Sequence, residues 1–472
     1  MARRLSLALL LCGASLAHGQ GTRLSIYAPS DFEPEMFASA NDTLTRSDLP
    51  GYASVRERIT LDLARGINAV RFAEVPRKLD AASVTLAPIN PPKTLRILSQ
   101  QFENDVVNPA RLLDLYIGRR IQLDTSGRSG ERVVGTLLGV AEGVTLKTDD
   151  GQVRTYREYA SITFADIPGG LITRPSLIWQ VDSPDVAFQA AELSYLTAGI
   201  SWWADYTVTL AAGPKCRATV TAWANIANAS GKSFSNATIE LKHARAQMFK
   251  GRSGTAQAET FALERPTDLP TGSVRQLPLL PPAQDYACER VVALESSPAW
   301  RPSAPITKEP DPASTSAGAL RQLRVLSLNQ GGRSIILPSG RLRLQQQREN
   351  GAIDLLAWDR IKPRGRDNMM KIDLAREDAI SITRKVNDFA LDAAAGVLEE
   401  AIELKLSNAT DEPTEIRVKE NLYRWRSWAV SNASLPFERV SANAIEFKLT
   451  LGAKANAEIR FVVRYRFTPP SS

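Results

Sequence analysis

The chain has 472 residues, 43% of them hydrophobic and 23% charged, and a formal net charge of +7. These are ordinary globular values for a chain long enough to bury several cores, and length alone suggests about three domains. Lys and Arg never cluster in consecutive blocks, which argues against a nucleic-acid-binding arm. The two histidines leave multi-His metal sites and most Ser-His-Asp arrangements almost nothing to work with.

The N-terminus has the layout of a secretory signal peptide, expected to span residues 1–19. Arg3 and Arg4 supply a positive region, Leu5 to Leu16 an apolar one, and Ala17-His18-Gly19 places small residues before a cut ahead of Gln20. Cys12 invites a lipoprotein reading, but Leu11 stands where a lipobox needs a small residue. Removing Arg3 and Arg4 lowers the net charge from +7 to +5. No later stretch reaches the ~20 apolar residues of a membrane-spanning helix. The expectation is an exported bacterial protein, periplasmic or secreted.

Residues 20–108 read as an N-terminal β segment. Arg58 to Leu63 alternates with period two, Gly66-Ile67-Asn68 turns the chain, and Ala69 to Phe72 returns. Pro109 opens a short helix that Gly118 ends. Across 109–166 the strands are short and closely spaced, at 121–123, 134–138, 144–148, 153–156 and 162–164. That texture predicts a small SH3- or Sm-like barrel. Asp149-Asp150-Gly151 within it is a hairpin turn before it is a metal site.

From 167 to 318 the pattern predicts a β-sandwich, with strands at 177–181, 200–210 and 216–224 and Pro-, Ser- and Thr-rich linkers at 264–282 and 297–318. Alternation puts Ile200, Trp202, Ala204, Tyr206, Val208 and Leu210 on one face of the 200–210 strand. A loop centred on Gly213 keeps the apolar faces of both hairpin strands together, pairs Leu210 with Cys216, and sets Trp203 opposite Trp223. That pair is either an interdomain contact or a sugar-stacking platform. Residues 319–472 resume alternating strands, at 341–344, 401–406, 414–418, 444–449 and 459–465. The fold class expected is therefore mainly β: tandem immunoglobulin-like β-sandwiches with a small barrel inserted after an N-terminal β segment.

Chemistry-bearing motifs are scarce. His243 ends an alternating run and reads as a strand residue, and neither a nucleophile elbow nor a phosphate-binding glycine loop occurs. No catalytic residue, metal or cofactor is expected on these grounds. A carboxylate pair for glycoside chemistry leaves no trace in spacing, since two acids that meet in space need no fixed separation. Export supplies an oxidant for Cys216 and Cys288, the two cysteines left after processing, and so predicts a disulfide between them. Arg360, Lys362, Arg364, Arg366 and Lys371 form a basic stretch suited to an acidic sugar or phosphate, or simply a solvated loop. Tyr423, Trp425 and Trp428 could stack on sugars or pack as core. The N-x-S/T triplets at Asn41, Asn228, Asn236, Asn408 and Asn432 read first as turn chemistry.

The run Glu192 to Tyr206, with its Gly199-Ile200-Ser201-Trp202-Trp203-Ala204-Asp205-Tyr206 strand, resembles the signature of a bacterial family named for mucoidy inhibitor A. Leu171 to Trp179, Asn228-Ala229-Ser230-Gly231, Leu337-Pro338-Ser339-Gly340, Glu420 to Trp425 and Arg464 to Phe467 extend the resemblance over most of the mature chain. Many members carry a coiled coil where this sequence places the 109–166 module. The resemblance implies an exported envelope protein with some tie to exopolysaccharide, and it supplies no catalytic residue. The function expected is a non-catalytic binding or assembly module, its partner an envelope protein or an acidic polysaccharide. The alternative is a carbohydrate-active enzyme on cell-wall or exopolysaccharide.

Overall fold

The computed structural model describes residues 15–16, 18–29, 32, 43–44, 49–89, 96–126, 130–168, 171–213, 215–244, 259–263, 265–280, 284–299, 302–310, 315–326, 329–330, 333–334, 337–361 and 369–468. The chain is mainly β, of the β-sandwich class. No helix among the described residues is long and apolar enough to cross a membrane. By packing the chain falls into two units, Met1–Trp203 with Asn225–Leu277 and Ala204–Ala224 with Pro278–Ser472. The segment 167–318, expected as one sandwich, thus contributes to both. Its strands Ile200–Leu210 and Arg217–Asn228 each begin in one unit and end in the other.

In the first unit the strand Tyr52–Leu63 alternates buried and open positions along its whole length, as its period-two sequence requires. It pairs antiparallel with Ala187–Ala198 on one side and with His18–Pro29 on the other. Asn68 makes the following turn: its Oδ1 accepts from Ala64 N and its Nδ2 donates to Ala64 O and Gly66 O. Asn228 and Asn408 repeat one device in the two units, each Oδ1 accepting from the backbone N–H and the hydroxyl two residues on. Asn236 and Asn432 adopt positive φ. Asn228, Asn408 and Asn432 therefore do turn chemistry, whereas Asn236 lies inside the strand Phe234–Ala244 at a shift of register; Asn41 lies outside the described residues. His243 sits in the strand Phe234–Ala244, buried, with its ring stacked on Trp202 at 4.2 Å.

The helix at Pro109–Leu115 starts as read, with Asn108 Oδ1 accepting from Arg111 N and Pro109 in the first turn. After it come five strands in the order Val153–Tyr156, Val144–Thr148, Arg132–Gly139, Arg120–Thr125, Tyr159–Thr163. Where a small SH3- or Sm-like barrel was expected, these strands form no closed barrel. The sheet's two edge strands are joined by Arg157 and Glu158 alone, so it must curl until its edges come near one another. No pairing joins those edges among the described residues, and the sheet stays open. Leu123, Leu137 and Leu146 fill its core. At its tip Gly151 N donates to Thr148 O in a tight turn, Asp149 pairs with Arg120, and Asp150 with Arg154.

The second unit is built on a long sheet path that runs Ile353–Ile361, Gly340–Gln347, Ile200–Leu210, Arg217–Asn228, Gln284–Glu295, Thr315–Val325, Met370–Asp392, Val397–Asn408 and Asn456–Arg466. Only its residues from Ala204 to Ala224 and beyond Pro278 belong to this unit. Gly340 pairs in parallel with Ala204, and a Cβ at Gly340 would meet Ala204 O at 2.3 Å, so this position excludes any side chain. The core gathers Ile382, Leu404, Ile416, Val418, Phe447, Phe461 and Val463. Cys216 and Cys288 are disulfide-bonded with Cα atoms 5.0 Å apart. The neighbouring pairs, Arg217 with Ala287 and Ala218 with Tyr286, make the two cysteines directly opposed across adjacent strands.

Candidate functional site

The second unit's sheet has one apolar and one polar face where Gly340–Gln347, Ile200–Leu210 and Arg217–Asn228 run side by side. Tyr206, Val208, Leu210, Ala218, Val220, Leu342 and Leu344 are buried on the apolar face. The alternate residues supply Thr207, Thr209, Arg217, Thr219, Thr221, Trp223, Arg341, Arg343 and Gln345 to the other. Parallel pairing puts Thr207 beside Arg343 and Thr209 beside Gln345. On the outer side the edge strand Ile353–Ile361 sets Trp358 opposite Arg343 and Arg360 opposite Arg341. Trp223 is 41% and Trp358 49% exposed, large values for tryptophan.

Charges on this face are distributed unevenly. Arg341 forks onto Asp205 at 2.6 Å and Arg217 binds Asp285 at 2.6 Å. Arg343 has no acidic partner among the described residues and lies in the row between Trp358 and Thr207. The two tryptophans belong to strands separated by two others, which puts them roughly 14 Å apart across the sheet. Such a surface offers two aromatic platforms, a row of threonine hydroxyls and an uncompensated guanidinium. It suits an extended ligand with sugar-like C–H faces and negative charge.

The hairpin register differs from the one expected. Ala211 N donates to Arg217 O at one end, and Ala229 N to Gly199 O at the other. Counting inward, Leu210 opposes Ala218, Trp203 opposes Asn225, and Trp223 opposes Asp205. The shift is two residues, which keeps every apolar side chain on its face. Cys216 precedes the strand Arg217–Asn228 and is bonded to Cys288 on the neighbour at that strand's other edge. Trp203 is only 5% exposed and packs edge-on to Phe32 with Leu49 and Ala227 around it, so it is core in the first unit and no platform.

The other sequence candidates sit elsewhere. Lys362, Arg364 and Arg366 lie outside the described residues. Tyr423 stands between Arg384 and Arg424, each guanidinium within 5.9 Å of its ring, and burial raises the phenol's pKa. Arg426 lies 4.9 Å over Trp425, and Arg439 lies 4.5 Å over Trp428, whose Nε1 donates to Ala442 O. A guanidinium already occupies one face of each ring. The threonine rows follow from the alternation of their strands, whereas Trp358 and Arg343 were missed as site residues, the alternation of Gly340 to Gln347 being the signal for Arg343.

Buried acids are matched with bases. Glu400 and Glu420 are fully buried, with Arg424 Nη2 2.7 Å from Glu400 and Arg384 Nε 3.0 Å from Glu420. Arg324 forks onto Glu446 in the same unit. In the first unit Lys232 Nζ sits 2.6 Å from Glu57, with the rings of Phe72, Tyr195 and Phe234 within 5.8 Å. Burial lowers the Lys232 pKa against the opposing pull of Glu57, and burial beside Glu57 holds the Tyr195 phenol well above its ordinary value. These groups are sealed in cores and serve the fold. No family model matches the chain, and no curated protein matches it.

Proposed function

We propose that this is an exported, non-catalytic binding protein of the bacterial envelope whose second unit holds an acidic polysaccharide on the Trp223–Arg343–Trp358 face. The observation that carries the reading is the pair of half-exposed tryptophans on the same sheet face as an uncompensated arginine. The resemblance to the mucoidy-inhibitor family supports it, and so does the single disulfide, which suits an oxidising compartment. The fully buried, arginine-paired Glu400 and Glu420 give no support to glycoside hydrolysis, which needs carboxyls open to substrate.

Titrating the protein with polygalacturonate and with its neutral methyl ester tests this reading. The acid polymer binds and the ester binds more weakly. Trp223→Ala and Trp358→Ala each lower affinity by roughly fivefold, about 1 kcal/mol of lost stacking. Arg343→Gln removes the preference for the acid form. Unchanged binding in all three variants would sink the proposal. A second measurement addresses export: intact mass of protein from a periplasmic or secreted fraction should place the N-terminus at Gln20. Retention of residues 1–19, or a lipid-sized increment on Cys12, would overturn it.

A further inference from the structure

In the first unit a cavity of about 420 Å³ is lined by Leu44, Arg77, Lys78, Ala229, Ser230, Gly231, Thr271 and Gly272. Two adjacent cations line it, and the lining holds no carboxylate. Neither side chain has an ion-pair partner among the described residues. Their backbone is pinned: Arg77 N donates to Ser230 O at 2.8 Å, and Lys78 O accepts from Ala198 N at 3.1 Å.

The side-chain stems are seated by glycines. A Cβ on Gly231 would lie 2.9 Å from Arg77 Cγ, and one on Gly199 would lie 3.0 Å from Lys78 Cδ. Both glycines have positive φ, at 90° and 80°, a conformation other residues rarely adopt. The turns thus leave room for both stems to lie against them, which limits the directions their charges can take. Thr271 Oγ1 accepts from Gly231 N, so its own hydrogen remains to be donated. Guanidinium, ammonium and hydroxyl therefore supply donors around one concave space. That is the donor set for an oxyanion. The volume lies in the range of small-molecule sites and is much larger than a bare ion needs. Leu44 and Ala229 add apolar surface beside the donors.

We propose that this cavity binds an anionic sugar, a pyranose bearing a carboxylate or a phosphate, with Arg77 and Lys78 holding the oxyanion and Thr271 a ring hydroxyl. The inference does not rest on the tryptophan face, which uses other residues in the other unit. Calorimetric titration of the full-length mature protein with D-glucuronate, D-glucose 6-phosphate, D-glucose and inorganic phosphate tests it. At least one of the two charged sugars binds, the tighter one naming the oxyanion, while D-glucose gives no signal. Arg77→Gln and Lys78→Gln each weaken that binding by about tenfold or more, as loss of a charge-assisted hydrogen bond requires. The Trp223→Ala/Trp358→Ala double variant leaves it unchanged.

Both cations are exposed, so the variants should fold, and an unshifted melting midpoint checks this. D-glucose binding as tightly as the charged sugars would overturn the proposal. So would inorganic phosphate binding in preference to both sugars, or indifference of the binding to both cation variants. Loss of the signal in the tryptophan double variant would move the ligand to the sheet face and also overturn it.

Discussion

Arg424→Met is expected to destabilise the protein by about 3–5 kcal/mol, with most of that recovered when Glu400→Leu is added to the same chain. Arg424 is 98% buried, and its Nη1 donates to Ile306 O at 3.0 Å and Lys308 O at 2.7 Å. Its guanidinium also lies 5.0 Å over Phe389. Glu400 is fully buried and neither carboxylate oxygen has a hydrogen-bond donor among the described residues. Its charge is therefore balanced through space, by Arg424 beside it and by Arg384. Methionine fills the space but leaves an unpaired carboxylate in the core, a far larger penalty than loss of a surface pair. Leucine at 400 removes that charge. Urea unfolding of the two single variants and the double variant completes the cycle. A single-variant loss under about 1 kcal/mol, or a double variant no better than Arg424→Met, would refute this account.

Removing the Cys216–Cys288 bridge should cost about 4 kcal/mol, whether by Cys216→Ser/Cys288→Ser or by reduction. The two cysteines are 72 residues apart, and a cross-link closing a loop of that size removes much of the unfolded chain's freedom. The bond joins positions already opposed in register, so the strands should keep their pairing without it. Denaturant midpoints with and without reductant measure the effect. Agreement between reduction and the serine variant separates the cross-link from any other action of the reductant. No shift in either would mean that the unfolded chain is already restrained there.

Much of this architecture was legible in the chain because period-two alternation reports burial directly. Arg58 to Leu63, Val144 to Thr148 and Ile459 to Tyr465 were read from it, within the strands Tyr52–Leu63, Val144–Thr148 and Asn456–Arg466, and Pro109 marked its helix. Met370–Asp392 was not. Its 23 residues include a run of four exposed positions and many charges, with Ile372, Ile380 and Ile382 buried at irregular intervals. Register shifts against Thr315–Val325 break the alternation on which recognition depends. Ile353–Ile361 was hidden for a different reason. An edge strand with exposed Ile353, Leu355, Leu356 and Trp358 shows no inward-outward contrast. The candidate face was half visible. Trp223 was chosen, but with Trp203 as its partner, because registers two residues apart keep the same faces together and alternation alone does not choose between them. Glu420 and Arg424 stood within a quoted motif, yet their partners Arg384 and Glu400 are distant in sequence.

The bridge has another consequence, this one for how the chain behaves when cut. The covalent circle it closes runs from 216 to 288 and contains the whole Asn225–Leu277 segment of the first unit. A protease that nicks the chain anywhere in that segment produces two polypeptides that remain joined through sulfur. On a gel run without reductant the nicked protein travels with the intact mass, and only reduction parts the pieces. The chain can therefore be cleaved within this segment and still hold its two ends together as a single covalent molecule.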